Sequence, residues 1–185
     1  MVVLQHFHDR DRCFLFDFPV MVIVSRFTRY CKDNICYITG TEDILCPVCS
    51  GRLFVHGTCK RKVKDETERV QELRLRVLEC EDCRHTHREL PEGLVPYKRY
   101  SAETICRIKE QPEICAAEPS VRQRILLWLS WFFCYARNVA CAQHLQGLES
   151  SEPSGVHLCR RLMYFVRLVV NAGFWEQHRS VMTFS

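Results

Sequence analysis

Apolar and polar positions alternate at two periods along this chain, and the change of period falls near Tyr100. Before that point the signals are those of strands. Val20–Val24 is continuously apolar and mostly β-branched, which predicts a buried strand, and Ile35–Thr39 reads as a second. Leu53-Phe54-Val55-His56 reads as a third, and Leu73 to Leu78 alternates apolar and basic residues. That alternation puts Leu73, Leu75 and Val77 on one face and Arg74 and Arg76 on the other. After Tyr100 the period lengthens to that of a helix. Ser101 is placed to cap a short helix reaching Glu110, with Ile105 and Ile108 inward and Glu103 in the first turn. Gln111-Pro112 ends it. Ser120 with Gln123 forms a capping box at the start of a long helix whose buried stripe is Val121, Ile125, Trp128, Phe132 and Tyr135. A last amphipathic helix, about Val156 to Val170, stops at Asn171-Ala172-Gly173 and leaves a Phe174-Trp175 anchor.

The pattern predicts an α+β fold, with a small N-terminal β segment and a ribbon followed by helices. The expected divisions are 1–40 for the β segment, 41–98 for the ribbon, 99–146 for a helix-turn-helix-like region and 147–185 for the last helix and tail. The polar stretch Gly147–Gly155 is the best internal boundary. Residues 13–24 form an apolar run, but Asp17 and Pro19 interrupt it and it is shorter than the roughly 18 residues a bilayer needs. No membrane partner is expected on that ground. The Asp9-Arg10-Asp11-Arg12 patch and Pro19 precede the first convincing strand, so either Met1 or Met21 can serve as the start.

Composition adds one decisive feature. Thirteen of the 185 residues are Cys, and four of them read Cys46-Pro-Val-Cys49, then thirty residues, then Cys80-Glu-Asp-Cys83. Two C-x2-C knuckles flanked by strands offer four thiolates to one tetrahedral zinc ion. Ser50-Gly51 after the first knuckle fits the turn, since a Gly tolerates positive φ. The remaining nine cysteines, at 13, 31, 36, 59, 106, 115, 134, 141 and 159, are expected as buried free thiols in a reducing, cytoplasmic setting. With four cysteines already completing the tetrahedron, His85 and His87 are expected as surface or hydrogen-bonded imidazoles.

The formal net charge is +4, and its placement matters more than its size. Residues 46–100 carry 12 basic and 9 acidic side chains, and residues 120–148 carry 3 basic and no acidic ones. Basicity on the ribbon and on the long helix favours a nucleic-acid partner. Lys60, Arg61, Lys62 and Lys64 are the candidate clamps for phosphates, and Arg122, Gln123 and Arg124 at the start of the long helix are the candidates for base or phosphate contacts. Two helices joined as here are what a helix-turn-helix requires.

The segments Cys80–Cys83, His87-Arg-Glu-Leu-Pro91 and Val95-Pro-Tyr-Lys-Arg-Tyr-Ser101 carry a further signal. Together with Cys46-Pro-Val-Cys49, Val55-His-Gly57, Pro119-Ser-Val-Arg122, Trp128, Trp131-Phe132 and Leu168–Gly173, they resemble a family of short bacterial proteins of unknown function. That family is itself similar to the N-terminal part of insertion-sequence transposases. The resemblance covers residues 21–185. It implies a zinc ribbon followed by a helix-turn-helix, a pair that in the related transposases binds the element's terminal DNA. A transposase would continue into a domain with three well-separated carboxylates around two metal ions. After Ser120 this chain has only Glu149, Glu152 and Glu176 as acids, so no catalysis is expected of it alone.

Two functions from different classes follow. One is a cytoplasmic, zinc-binding protein that binds duplex DNA and is linked to a mobile element. The other is a protein-interaction adaptor in which zinc is purely structural and the Trp128–Phe133 helix docks a partner or a second copy. A thiol redox enzyme is a weaker third, because paired knuckles at ribbon spacing suit a structural metal better than a redox couple.

Overall fold

The computed structural model describes residues 20–145 and 157–175, and the Asp9–Arg12 patch and the Gly147–Gly155 boundary lie outside them. Strands come first: β1 (Val20–Val24), β2 (Phe27–Lys32), β3 (Ile35–Gly40), β4 (Leu53–Lys64), β5 (Val70–Cys80) and β6 (Thr86–Pro91). Helices follow: α1 (Ala102–Glu110), α2 (Pro119–Leu145) and α3 (Leu158–Asn171), with a short 3-10 turn, Pro112–Ile114, between the first two. The architecture is therefore mixed α+β.

All six strands share one sheet, and β5 is its trunk. On one side β4 pairs with it antiparallel from Leu53↔Cys80 to Lys64↔Val70, broken only by a bulge between Val55 and Gly57. The bulged His56 sets its Nδ1 2.7 Å from the buried Glu79 carboxylate. On the other side the sheet forks. Glu72 to Arg74 pairs parallel with β3, whereas Val77 to Glu79 pairs antiparallel with β6. β2 extends the first branch and β1, running parallel to β6, extends the second.

Arg76 sits at the fork. Its guanidinium donates to Glu89 on β6, with Nε to Oε2 at 2.8 Å, and to the Gly40 carbonyl at the end of β3 at 2.9 Å. The Gly40 N–H donates in turn to Glu89 at 3.0 Å. A Cβ at position 40 would come 2.5 Å from Glu89 Oε1, so only glycine fits where the two branches part.

One face of the sheet carries the helices. Met21, Ile23, Ile38, Leu73, Leu75 and Leu90 meet Ile105 and Ile108 of α1, Ile125, Trp128, Leu129 and Phe132 of α2, and Leu162, Phe165, Val166 and Val169 of α3. Trp128 stacks on Phe132 at 5.1 Å, and Phe132 meets Trp175 at 5.5 Å. The expected α2 stripe is buried at Ile125, Trp128 and Phe132 and half-buried at Val121 and Tyr135. By length and composition, Pro119–Gln143 of α2 is also apolar enough to cross a membrane, a test that the core helix of a soluble protein passes as well. Here its Trp128 and Phe132 face is packed, while Leu127 on the other side is 65% exposed.

Helix ends follow the expected chemistry at α1, where the Ser101 hydroxyl accepts from the Thr104 N–H at 3.1 Å. At α2 the start moves. The Arg122 N–H bonds the Glu118 carbonyl at 2.9 Å, so Pro119 opens the helix and Ser120 lies inside it rather than capping it. A proline needs no N–H partner and has its φ already set, which suits the first helical position.

The C-terminal end of α3 closes the β1 edge. Asn171 Oδ1 accepts from the Ile23 N–H at 2.7 Å and its Nδ2 donates to the Ile23 carbonyl at 3.0 Å, so one amide side chain acts as a neighbouring strand. Asn171→Ala is expected to lower stability by about 1–3 kcal/mol, because both backbone groups lose their partner, and a shift of the urea midpoint measures it.

The expectation of free, buried thiols is corrected in part. Cys31 and Cys36, directly opposite on β2 and β3, form a disulfide. Cys134 and Cys141 are exposed on α2, while Cys106 and Cys115 are buried as expected. The tight β2–β3 turn brings the first pair into register, a contact that linear spacing does not reveal. It also removes part of the argument for a reducing setting.

Candidate metal centre and basic surface

The two knuckles repeat one backbone pattern. In the first, the Cys46 N–H bonds the Gly51 carbonyl at 2.9 Å and the Ser50 N–H bonds the Cys46 carbonyl at 2.8 Å. In the second, the Cys80 N–H bonds the His85 carbonyl at 3.0 Å and the Arg84 N–H bonds the Cys80 carbonyl at 3.2 Å. Ser50 and Arg84 each take a left-handed conformation, both at φ 62°. The positive φ thus belongs to Ser50 and not to Gly51. Gly51 is needed for space: a Cβ there would come 2.2 Å from Asp82 Oδ2 and 2.9 Å from Cys80 Sγ.

These turns bring the Sγ atoms of Cys46, Cys49, Cys80 and Cys83 within 4.8 Å of one another. Cys46 and Cys83 are 3.6 Å apart and Cys49 and Cys80 are 3.4 Å apart. A tetrahedral ion with sulfur at about 2.3 Å needs sulfurs about 3.8 Å apart, so the cluster fits a single metal with little adjustment. These four cysteines could hold a metal ion.

The surroundings favour a thiolate at Cys80, whereas burial raises Cys46. Burial opposes charge on Cys80, but the amides of Cys83 and Asp82 and the thiols of Cys49 and Cys83 outweigh it and bring the group down to about 7. Cys83 is pushed up to about 12 by burial and by the sulfurs of Cys49, Cys80 and Cys46. One proton therefore leaves readily, and a bound cation is what lets the others follow. The Val48 N–H points at Cys46 Sγ from 3.4 Å.

His87 completes this shell without being a fifth ligand. It is fully buried, with Nε2 3.3 Å from Cys46 Sγ. Burial, with a smaller push from His85, takes its imidazolium down to about 4, so the ring is neutral. Its Nδ1 has no hydrogen-bond partner among the described residues. A neutral ring whose Nε2–H donates to the Cys46 thiolate accounts for both observations. His85 is exposed, with Nδ1 3.2 Å from the Cys83 carbonyl. No apolar and polar alternation marks His87 in the sequence, and its place with Glu89 on a buried face of β6 comes from the strand pairing.

The basic candidates separate by strand parity. On β4, Cys59, Arg61 and Val63 turn inward while Lys60 and Lys62 are exposed. The Arg61 guanidinium donates to the carbonyls of Val95 and Lys98, the latter at 3.0 Å, and burial lowers it to about 10. Its task is to hold the 95–98 strap. Lys60 lies 3.4 Å from Glu72, and Lys64 is paired with Glu68. On α2, Arg122 donates to the Pro112 carbonyl at 2.9 Å, whereas Gln123 and Arg124 are exposed.

Two cavities adjoin along the strap. One, of about 200 Å³, is lined by Lys60, Arg61, Lys62 and Arg88 among others, and shares Tyr97 and Lys98 with its neighbour. The neighbour, of about 500 Å³, is lined by Lys64, Tyr97, Lys98, Arg99, Tyr100, Ile105, Val121, Arg124 and Ile125. Among the described residues, no acid lines either cavity. The β4 candidates, far apart in sequence from α2, thus share these adjoining cavities with Arg124, together with Arg88, Lys98 and Arg99, whereas Arg122 and Gln123 line neither.

Residues 46–125 match the family model DUF6431, described as a domain of unknown function. The match opens on the first cysteine of the cluster and takes in all four, with β4 to β6, α1 and the first turns of α2. No curated protein and no solved structure matches the chain.

Proposed function

We propose that this protein binds duplex DNA and that zinc, held by Cys46, Cys49, Cys80 and Cys83, is structural. The all-sulfur, closed donor set leaves no open position for substrate, which is why zinc and a bracing role are the preferred reading. The observation that carries the DNA reading is the pair of adjoining cavities lined by cations, with no acid among the described residues that line them. Gln123 and Arg124 at the start of α2 are the contacts proposed for bases or phosphates, and Lys60, Lys62 and Lys64 with Arg88 for the backbone. Arg61 and Arg122 hold the frame. A non-catalytic, cytoplasmic relative of the DNA-binding part of transposases, attached to a mobile element, is the setting that the sequence resemblance suggests.

The test is a titration of zinc-loaded protein against duplexes selected from a random pool, repeated across a salt series. Lys62→Ala is expected to weaken all duplexes alike and to reduce the salt slope by about one. Arg124→Ala is expected to cost about 1–3 kcal/mol on the selected site if it reads a base. Affinity that does not respond to salt would overturn the reading. The exposed Leu126 and Leu127 on α2 favour the adaptor as the second reading, with the same helix docking a protein partner or a second copy.

A further inference from the structure

The 500 Å³ cavity holds a charge that no acid among the described residues neutralises. Lys98 is half-buried, and its Nζ stands 4.3 Å above the centre of the buried Trp128 ring. Burial lowers its ammonium to about 8. Among the described residues no carboxylate pairs with Lys98, Arg99 or Arg124, the three cations that face this space. A cation drawn out of water with an aromatic face for company is poorly compensated, and an anion is the partner that would complete it. Lys64 is in a different position, because Glu68 already pairs with it and also accepts from the Tyr100 hydroxyl.

The lining also has an apolar part. Ile105, Val121 and Ile125 give the cavity an apolar wall, and Tyr97, 43% exposed, lines it as well. A site for negative charge therefore lies beside an apolar one, in a volume within the range of small organic ligands. A nucleotide has that division of polarity.

We propose that this cavity takes one nucleotide out of the base stack, with its phosphate on Lys98, Arg99 and Arg124 and its base between Tyr97 and the apolar wall. This rests on the nucleic-acid reading above and adds to it a preference for unpaired positions. Stacking on an aromatic ring is indifferent to base identity, so the pocket favours unpaired nucleotides generally rather than a sequence.

The experiment is a competition series on the zinc-loaded full chain, followed by fluorescence anisotropy. The probes are a blunt duplex, the same duplex with a short unpaired overhang, the overhang built from abasic sugars, and free nucleoside monophosphate. The overhang is expected to bind about tenfold tighter than the blunt duplex, and the abasic form is expected to lose that gain. Tyr97→Ala, at an exposed position, should erase the gain while blunt-duplex affinity and thermal melting stay close to those of the parent. Equal binding of blunt and overhanging duplexes overturns the pocket and leaves the duplex reading standing. Equal gains from the abasic and base-bearing overhangs overturn it as well, since charge alone would then suffice. Binding of the free monophosphate without binding of either duplex supports the pocket, names a free nucleotide as its occupant and sinks the DNA reading. Binding of no probe overturns both.

Discussion

Cys80→Ser is expected to abolish stoichiometric metal and to destabilise the protein more than loss of any single hydrogen bond or ion pair in the fold. Cys80 is fully buried at the end of the trunk strand, and its loss leaves three thiolates facing one another without the cation that balances them. Apparent binding energies of structural zinc sites run to about 10–16 kcal/mol in small domains where metal binding and folding are one equilibrium. If the proposed structural zinc is bound, part of that energy would stabilise the sheet and helices through β5, so the melting temperature should fall together with the metal content. Elemental analysis beside a thermal melt measures both. Cys134→Ser, on the exposed side of α2, is the matched control and should change neither. A Cys80→Ser protein that melts like the parent would remove the metal from its structural role.

The next largest effect is expected at the fork of the sheet. Arg76→Met leaves the Glu89 carboxylate, 2% exposed, with the Gly40 N–H as its remaining partner there. Removing one side of a buried ion pair costs about 3–5 kcal/mol, because the surviving charge keeps its desolvation penalty and loses its compensation. Replacing both residues, as Arg76→Met with Glu89→Met, should cost much less, since no stranded charge remains. Chemical denaturation of the parent, both single variants and the double variant closes the cycle. A double variant as unstable as the sum of the singles would mean that the pair acts through packing alone.

What the sequence makes legible are features with a fixed period or spacing. The knuckles can be read because a tetrahedral ion restricts how far apart paired thiolates lie, and α1 because Ser101, Glu103 and the Ile105 and Ile108 pair agree on one start and one face. β1 can be read because five consecutive apolar residues leave few alternatives to a covered strand. β6 escapes a linear reading because His87, Arg88 and Glu89 look like a solvated loop. Two of those three are buried for reasons that lie elsewhere in the chain: His87 against Cys46, and Glu89 against Arg76. The basic run after Cys59 looks uniform in sequence, yet it is a strand, and strand parity sends Arg61 inward while Lys60 and Lys62 face out. Continuing the period-2 pattern through Lys64 separates them. The Cys31–Cys36 bridge needs a hairpin register that no spacing rule supplies. The meeting of the 97–99 strap with α2 is tertiary, and sequence alone has no access to it.

The fork in the sheet also bears on how this protein can be cut. The recognisable stretch, 46–125, contains the cysteines, but the chain outside it supplies the branch strands β1 to β3, the Gly40 that seats Glu89 and the Asn171 that seals the β1 edge. A fragment trimmed to 46–125 would keep its metal ligands and expose one side of β6, part of one side of β5 and the faces of Leu73 and Leu75 that α3 and its neighbours cover. The matched stretch is thus smaller than the unit whose sheet edges and core face are covered, and a transplant of it into another protein would have to carry its flanks or find substitutes for them.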